Sequence, residues 1–138
     1  MPNMSGFICP VCGGRLADCG TLLRCEGNHC FDKSKFGYVN LLLSQSSGAK
    51  RHGDDRVMVR SRRDFLNAGY YSFLRDEVCA VCRDLLPHDA VILDAGCGEG
   101  YYTAGVKAAL PSAQVLGVDI SKDALEYFSK RKCGAETA

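Results

Sequence analysis

Cys9-Pro-Val-Cys12, a gap of twelve residues, and then Cys25-Glu-Gly-Asn-His29 give the pattern C-x2-C-x12-C-x3-H. No other feature limits so strongly what this chain can fold into. A C-x2-C turn lets two thiolates converge on one ion, and zinc takes four soft or borderline ligands in a tetrahedron. Gly13 and Gly14 follow the first pair and supply the backbone freedom such a knuckle needs. The second half-site is ambiguous: His29 or its neighbour Cys30 could complete the set, and Cys19 is a weaker spare. With four protein ligands the ion keeps no open position, so its expected role is structural. It would fold a segment too small to hold itself together.

The remaining cysteines read differently. Nine in a chain of 138 residues is an odd count, which argues against a closed disulfide framework. The N-terminus has neither a basic patch nor an apolar h-region, so no signal peptide is expected. No run approaches the ~18 apolar residues of a membrane span. A cytoplasmic, reducing setting is the resulting expectation. Cys79 and Cys82 lie on an apolar helical stretch and read as small core residues. His52 and His88 read as solvated side chains. Lys33 to Arg63 holds eight basic residues against Asp54 and Asp55, a stretch of +6 in a chain of net charge +1. A segment of that sign can attract phosphate, though a solvated linker or helix face looks the same.

The chain divides into three zones. Residues 1–43 are rich in Cys and Gly and predict short strands with turns, a small zinc-binding domain. Residues 44–55 are small and polar, a linker. Residues 56–138 become helical and then alternate. Leu74, Val78, Val81 and Leu85 recur at spacings that place them on one helix face. Gly69 divides this region into two helices and Pro87 closes the second. Val91–Leu93 and Val115–Val118 read as strands buried on both faces, each followed by a helix, the second capped by Ser121. The fold class is therefore α/β: a β-rich zinc head, two helices, and a βαβα unit with parallel strands. Two strands alone leave free edges that invite association, and a homodimer is the expectation that follows.

The first strand runs into Asp94-Ala95-Gly96-Cys97-Gly98-Glu99-Gly100 at the start of a helix. Glycines there permit a tight turn and close approach of backbone to a ligand, with helix N–H groups facing the gap. Tyr101 occupies the last glycine position of the dinucleotide fingerprint, which weakens a nicotinamide or flavin reading. Asp119 ends the second strand 21 residues after Gly98, where a carboxylate can accept both hydroxyls of a ribose. This D-x-G-x-G-x-G with a later acid resembles the S-adenosylmethionine site of Rossmann-like methyltransferases. The resemblance puts Gly96, Gly98 and Glu99 at the methionine end, has Asp94 orient the loop, and has Asp119 hold the ribose.

Together the two halves resemble the 23S rRNA (guanine-N1)-methyltransferase family. The residues that carry the likeness are Cys9, Cys12, Cys25 and His29, Phe31-Asp32, Lys35–Leu42, Arg62–Tyr71, Gly96–Thr103 and Val118–Lys122. The resemblance implies His29 as the fourth zinc ligand and Tyr71 as a cofactor contact, although a helix-face aromatic in the core looks the same. It implies S-adenosylmethionine and structural Zn2+ as cofactors and a 23S rRNA hairpin as partner. No catalytic residue is assigned. Members of the family are longer, so this chain reads as the N-terminal portion of such an enzyme. Two other readings remain: an inactive, zinc-stabilised RNA-binding module, and a small-molecule methyltransferase that would leave the zinc knuckle unexplained.

Overall fold

The computed structural model describes residues 3–43 and 53–138. The expected linker lies mostly outside them. Its last three residues are packed: Ser121 Oγ donates to the Asp54 carbonyl at 2.7 Å. Asp55 caps the next helix through the Met58 N–H at 2.9 Å.

Four short strands form the head: β1 (Met4–Ile8), β2 (Arg15–Asp18), β3 (Leu22–Arg24) and β4 (Cys30–Asp32), an antiparallel meander in that order. Its apolar side chains are too few for a core of their own. Phe7, Leu16, Leu23, Phe31 and Val39 cluster with Cys9 and Cys25, and the cluster continues into Leu116 of the second unit.

Helices α1 (Arg56–Asn67) and α2 (Ser72–Leu85) follow. Gly69 separates them at φ +90°, a conformation that L side chains resist. Next come β5 (Val91–Ala95), α3 (Tyr101–Ala109), β6 (Gln114–Val118) and α4 (Lys122–Lys130). The chain then supplies a third strand that the sequence pattern did not announce, β7 (Glu136–Thr137). The three strands are parallel in the order β5-β6-β7, with Leu93 opposite Leu116 and Leu116 opposite Glu136. A two-residue strand has no readable periodicity. It is defined by its partners, including the Val39 N–H, which donates to the Thr137 carbonyl at 2.9 Å.

Alternation gives the sheet two faces. Val115 turns toward Leu110, Ala113 and Cys82 on the helical side, and Gly117 toward Phe128. Leu116 and Val118 point the other way, into the head. Strand β6 is thus buried on both faces, as expected. Strand β5 is not: Val91 and Leu93 are 67% and 60% exposed. The head reaches only β6 and β7, and among the described residues no strand pairs with the outer edge of β5. The helical stripe is likewise uncovered. Leu74, Val78, Val81 and Leu85 share a face, but all are exposed. Helix α2 instead packs through buried Cys79 and the stem of Arg75 against Gly105 of α3. Cys79 is therefore core, and Cys82 packs partly buried beside it.

Phe128 is 2% exposed, and its ring lies where a Cβ at Gly100 or Gly117 would stand, 2.6 and 3.2 Å away. Phe128→Ala should cost about 3–5 kcal/mol in urea unfolding. Leu93→Ala, on the uncovered face, should cost only about 0.5 kcal/mol. Equal losses would contradict this division of the sheet.

Candidate functional site

The first candidate site is the cysteine cluster. Cys9 N–H donates to the Gly14 carbonyl and Gly13 N–H to the Cys9 carbonyl, both at 2.8 Å, which curls the first knuckle. Gly13 turns at φ +71° to allow it. The second knuckle repeats the device. Cys25 N–H donates to the His29 carbonyl at 3.1 Å, with Asn28 at φ +63°. One ligand atom from each of Cys9, Cys12, Cys25 and His29 then lies within 4.8 Å of the other three. His29 Nδ1 is 3.3 Å from Cys25 Sγ and 3.6 Å from Cys9 Sγ, and Cys12 Sγ is 3.7 Å from Cys25 Sγ. A tetrahedron with Zn–S near 2.3 Å has edges of about 3.8 Å, so the donors fit zinc in number, chemistry and spacing.

The two spare cysteines lie apart from this group. Cys30 is exposed, with its thiol on the Asn28 carbonyl, and the exposed Cys19 thiol turns to the Ala17 carbonyl. Burial alone would raise the Cys9 thiol, but N–H bonds from Cys12 and Val11 bring it down to about 7. At Cys12 the Gly14 N–H pulls down, yet the thiols of Cys9 and Cys25 prevail and push it up. Crowded sulfurs thus resist ionising together, a conflict that a bound divalent cation relieves.

The second candidate site is the loop between β5 and α3. Gly96, Gly98 and Gly100 all have positive φ, at +76°, +59° and +89°. A Cβ on Gly96 or Gly98 would meet nothing within 4 Å, so these two face open space. Three acids fix the loop. Asp94 accepts from Thr103 Oγ1 of α3 at 2.5 Å. Buried Glu99 is clasped by Arg131, whose Nε also donates to the Glu99 carbonyl at 2.8 Å. Asp119 accepts the Gly98 N–H on one oxygen at 2.9 Å and the Ser121 N–H on the other at 2.8 Å. It therefore ties the end of β6 to the glycine loop, and each oxygen retains a lone pair for a ligand. Arg131 is the residue that motif reading missed. It is remote in sequence and belongs to no pattern, and only its charge beside a buried acid marks it.

Cys97, inside the loop, is pushed up to about 12, chiefly by burial and then by Asp119 and Asp94. It stays a neutral thiol packed over Gly117, where a Cβ would come within 3.0 Å of its sulfur. Tyr71 is the N-cap residue just before α2, 43% exposed, edge-on to Phe65 and Phe73. Burial first, then the phenols of Tyr101 and Tyr71, push the Tyr102 phenol up. A cavity of about 450 Å³ opens beside Gly96 and Asp119. The basic stretch is largely engaged. Lys33 pairs with Asp18, Arg56 with Glu126, Arg62 with Asp54 and Arg63 with Asp64. Lys50, Arg51 and His52 lie outside the described residues.

Comparison with known proteins finds matches to both segments of the chain. The family model for the zinc ribbon that opens RlmA (RlmA, N-terminal) matches residues 7–50, and a methyltransferase-domain model matches residues 92–137. A protein of Micromonospora griseorubida named as a 23S rRNA (guanine-N(1)-)-methyltransferase is 38% identical, over 88% of this chain and 46% of its own. The 23S rRNA (guanine(748)-N(1))-methyltransferase of Streptomyces fradiae is 32% identical, over 94% of this chain and 46% of its own. A Bacillus subtilis protein, YxjB, named for the same guanine-N(1) activity, is 34% identical over 93% of this chain and 47% of its own. The chain spans about half the length of these relatives.

Purified chain should carry one zinc per molecule, measured by plasma mass spectrometry. Cys25→Ser should lose it and Cys30→Ser should retain it. Loss in the Cys30 variant would move the fourth ligand.

Proposed function

We infer that the chain belongs to the 23S rRNA (guanine-N1)-methyltransferase family, a reading the two matched models and the relatives support, that it holds S-adenosylmethionine at its glycine loop, and that it methylates N1 of a guanine in 23S rRNA. The observation that carries this reading is the Asp119 carboxylate, fixed by Gly98 N–H beside two glycines that face open space. That acceptor and that cradle fit the cofactor. A ribose diol meets the free lone pairs of Asp119, and the methionine end passes over Gly96 and Gly98, whose missing side chains leave room. Asp94 holds the loop through Thr103 and Glu99 holds it through Arg131, with Tyr71 closing from the α2 side. Bound there, the cofactor supplies an electrophilic methyl group on a positively charged sulfur.

Neutral guanine carries a proton on N1, at the edge used in base pairing. The base must leave its partner to be reached, and its proton must pass to an acceptor. Cys97 is unsuited to that task, because it stays a thiol with no charge to take up a proton. The head, residues 1–43, clasped by zinc at Cys9, Cys12, Cys25 and His29, grips an rRNA hairpin by shape and phosphate contact. Residues 56–138 form the cofactor unit, and the open β5 edge is where two copies would pair as a homodimer. Action on ribosomal RNA supports a cytoplasmic setting. No helix among the described residues is long and apolar enough to cross a membrane.

Calorimetric titration with S-adenosylhomocysteine should show saturable binding, weakened about tenfold or more by Asp119→Ala. Affinity unaltered by that change would refute the assignment of the ribose to this carboxylate. Binding of the zinc-loaded chain to a 23S hairpin should fall steeply, on the order of tenfold or more, between 50 and 200 mM salt. A flat response would remove phosphate from the interface.

A further inference from the structure

The cavity beside Asp119 has two walls from distant parts of the chain. One is built by the nucleotide unit, with Gly96, Val118, Asp119 and Ile120; the other is the head segment Tyr38–Leu42. Resting on the cofactor reading above, we propose that this head segment forms the second wall of the nucleoside pocket. Leu41 and Leu42 cover the adenine of S-adenosylmethionine from the side facing Ile120.

The wall is anchored to both units. Val39 N–H donates to the Thr137 carbonyl of β7, and Asn40 N–H donates to the Asp32 carbonyl of β4, at 2.9 and 3.0 Å. Leu42 N–H closes a tight turn onto Asn40 Oδ1 at 3.2 Å. Leu41 packs against the shared core that contains Leu116, together with Val118 and Ala138. These bonds hold Leu41 and Leu42 at the cavity rather than leaving them on a loose tail.

The chemistry of the walls selects the ligand. The carboxylate of Asp119 suits a diol. The remaining lining is dominated by the apolar side chains of Val39, Leu41, Leu42, Ile120 and Leu125. Ile120 is 53% exposed, whereas Leu125 is 3% exposed. A large apolar side chain left open beside a polar anchor is what a planar heterocycle with a sugar attached would cover. The head would then be part of the cofactor site as well as a grip on RNA.

The test uses the full, zinc-loaded chain. Because the protein has no tryptophan, Leu41→Trp introduces a single indole at the wall. Its emission should shift saturably with S-adenosylhomocysteine, and with adenosine, but not with methionine. Leu41→Ala should weaken S-adenosylhomocysteine binding about five- to thirtyfold by calorimetry, with zinc content and circular dichroism unchanged. If Leu41→Ala misfolds, the Leu41→Trp emission decides. An indole unmoved by adenosine, or an affinity within twofold of the parent while Asp119→Asn abolishes binding, overturns the head wall and leaves the cofactor reading intact. No binding of S-adenosylhomocysteine by the parent chain overturns both.

Discussion

Leu116 belongs to two structures at once. As the middle residue of β6 it pairs with Leu93 on one side and Glu136 on the other. As a side chain it completes the core of the head, 6% exposed among Phe7, Leu16, Leu23 and Phe31. Burying a leucine stabilises by roughly 1.5–3 kcal/mol, and here that gain requires the two units to be docked. Gly6 makes the docking close, since a Cβ there would fall 2.6 Å from the Leu116 methyl. Polar bonds fix the orientation. Glu136 accepts from Ser5 Oγ at 2.7 Å, from Gly6 N–H at 3.1 Å and from Gln114 Nε2 at 3.0 Å. A carboxylate on β7 that is reached from β1 of the head and from β6 leaves the joint little freedom to rotate.

The glycine loop shows the same economy on a smaller scale. Positive-φ glycines open a cradle but leave the backbone loose. Asp94, Glu99 and Asp119 remove that looseness by bonding inward, to α3, to Arg131 and to the loop itself. Arg131 also reaches Asn67 Oδ1 at the end of α1, at 3.1 Å. The first helix, the loop and the fourth helix are therefore held at one guanidinium. Acids that look like a ligand-binding set are first of all a frame, and Asp119 is the one of the three that ties the end of β6 to the loop.

Much of this was legible in the sequence, and the division between legible and hidden is physical. The knuckle spacing, the Gly69 break, the Ser121 cap and the strand–glycine–helix run are local. Each is written within a few residues, because chain geometry alone brings those groups together. The choice of His29 over Cys30 was open to local reading, since neighbours in sequence differ only in the face they present. Strand β7, the exposure of Leu93 and the clasp of Arg131 on Glu99 depend on contacts between distant segments, which no periodicity records. The spacing of Leu74, Val78, Val81 and Leu85 makes a stripe on α2, but a pattern cannot say whether anything covers it.

Charge is where composition misleads most. The stretch from Lys33 to Arg63 counts as +6, yet Lys33, Arg56, Arg62 and Arg63 each sit within 3.1 Å of a carboxylate. A guanidinium paired in this way contributes little to the distant field, and salt screens what is left within about 8–10 Å. Arg63 and Arg56 also lie over the Tyr127 ring, at 4.5 and 5.4 Å, which binds α1 to α4. Much of the basic character therefore goes into internal structure, not into an open phosphate-binding strip. Such a surface offers a partner shape as much as charge. Shape is what a metal-clasped head, locked to the sheet through Leu116 and Glu136 and sharing a cavity with Asp119, can hold constant.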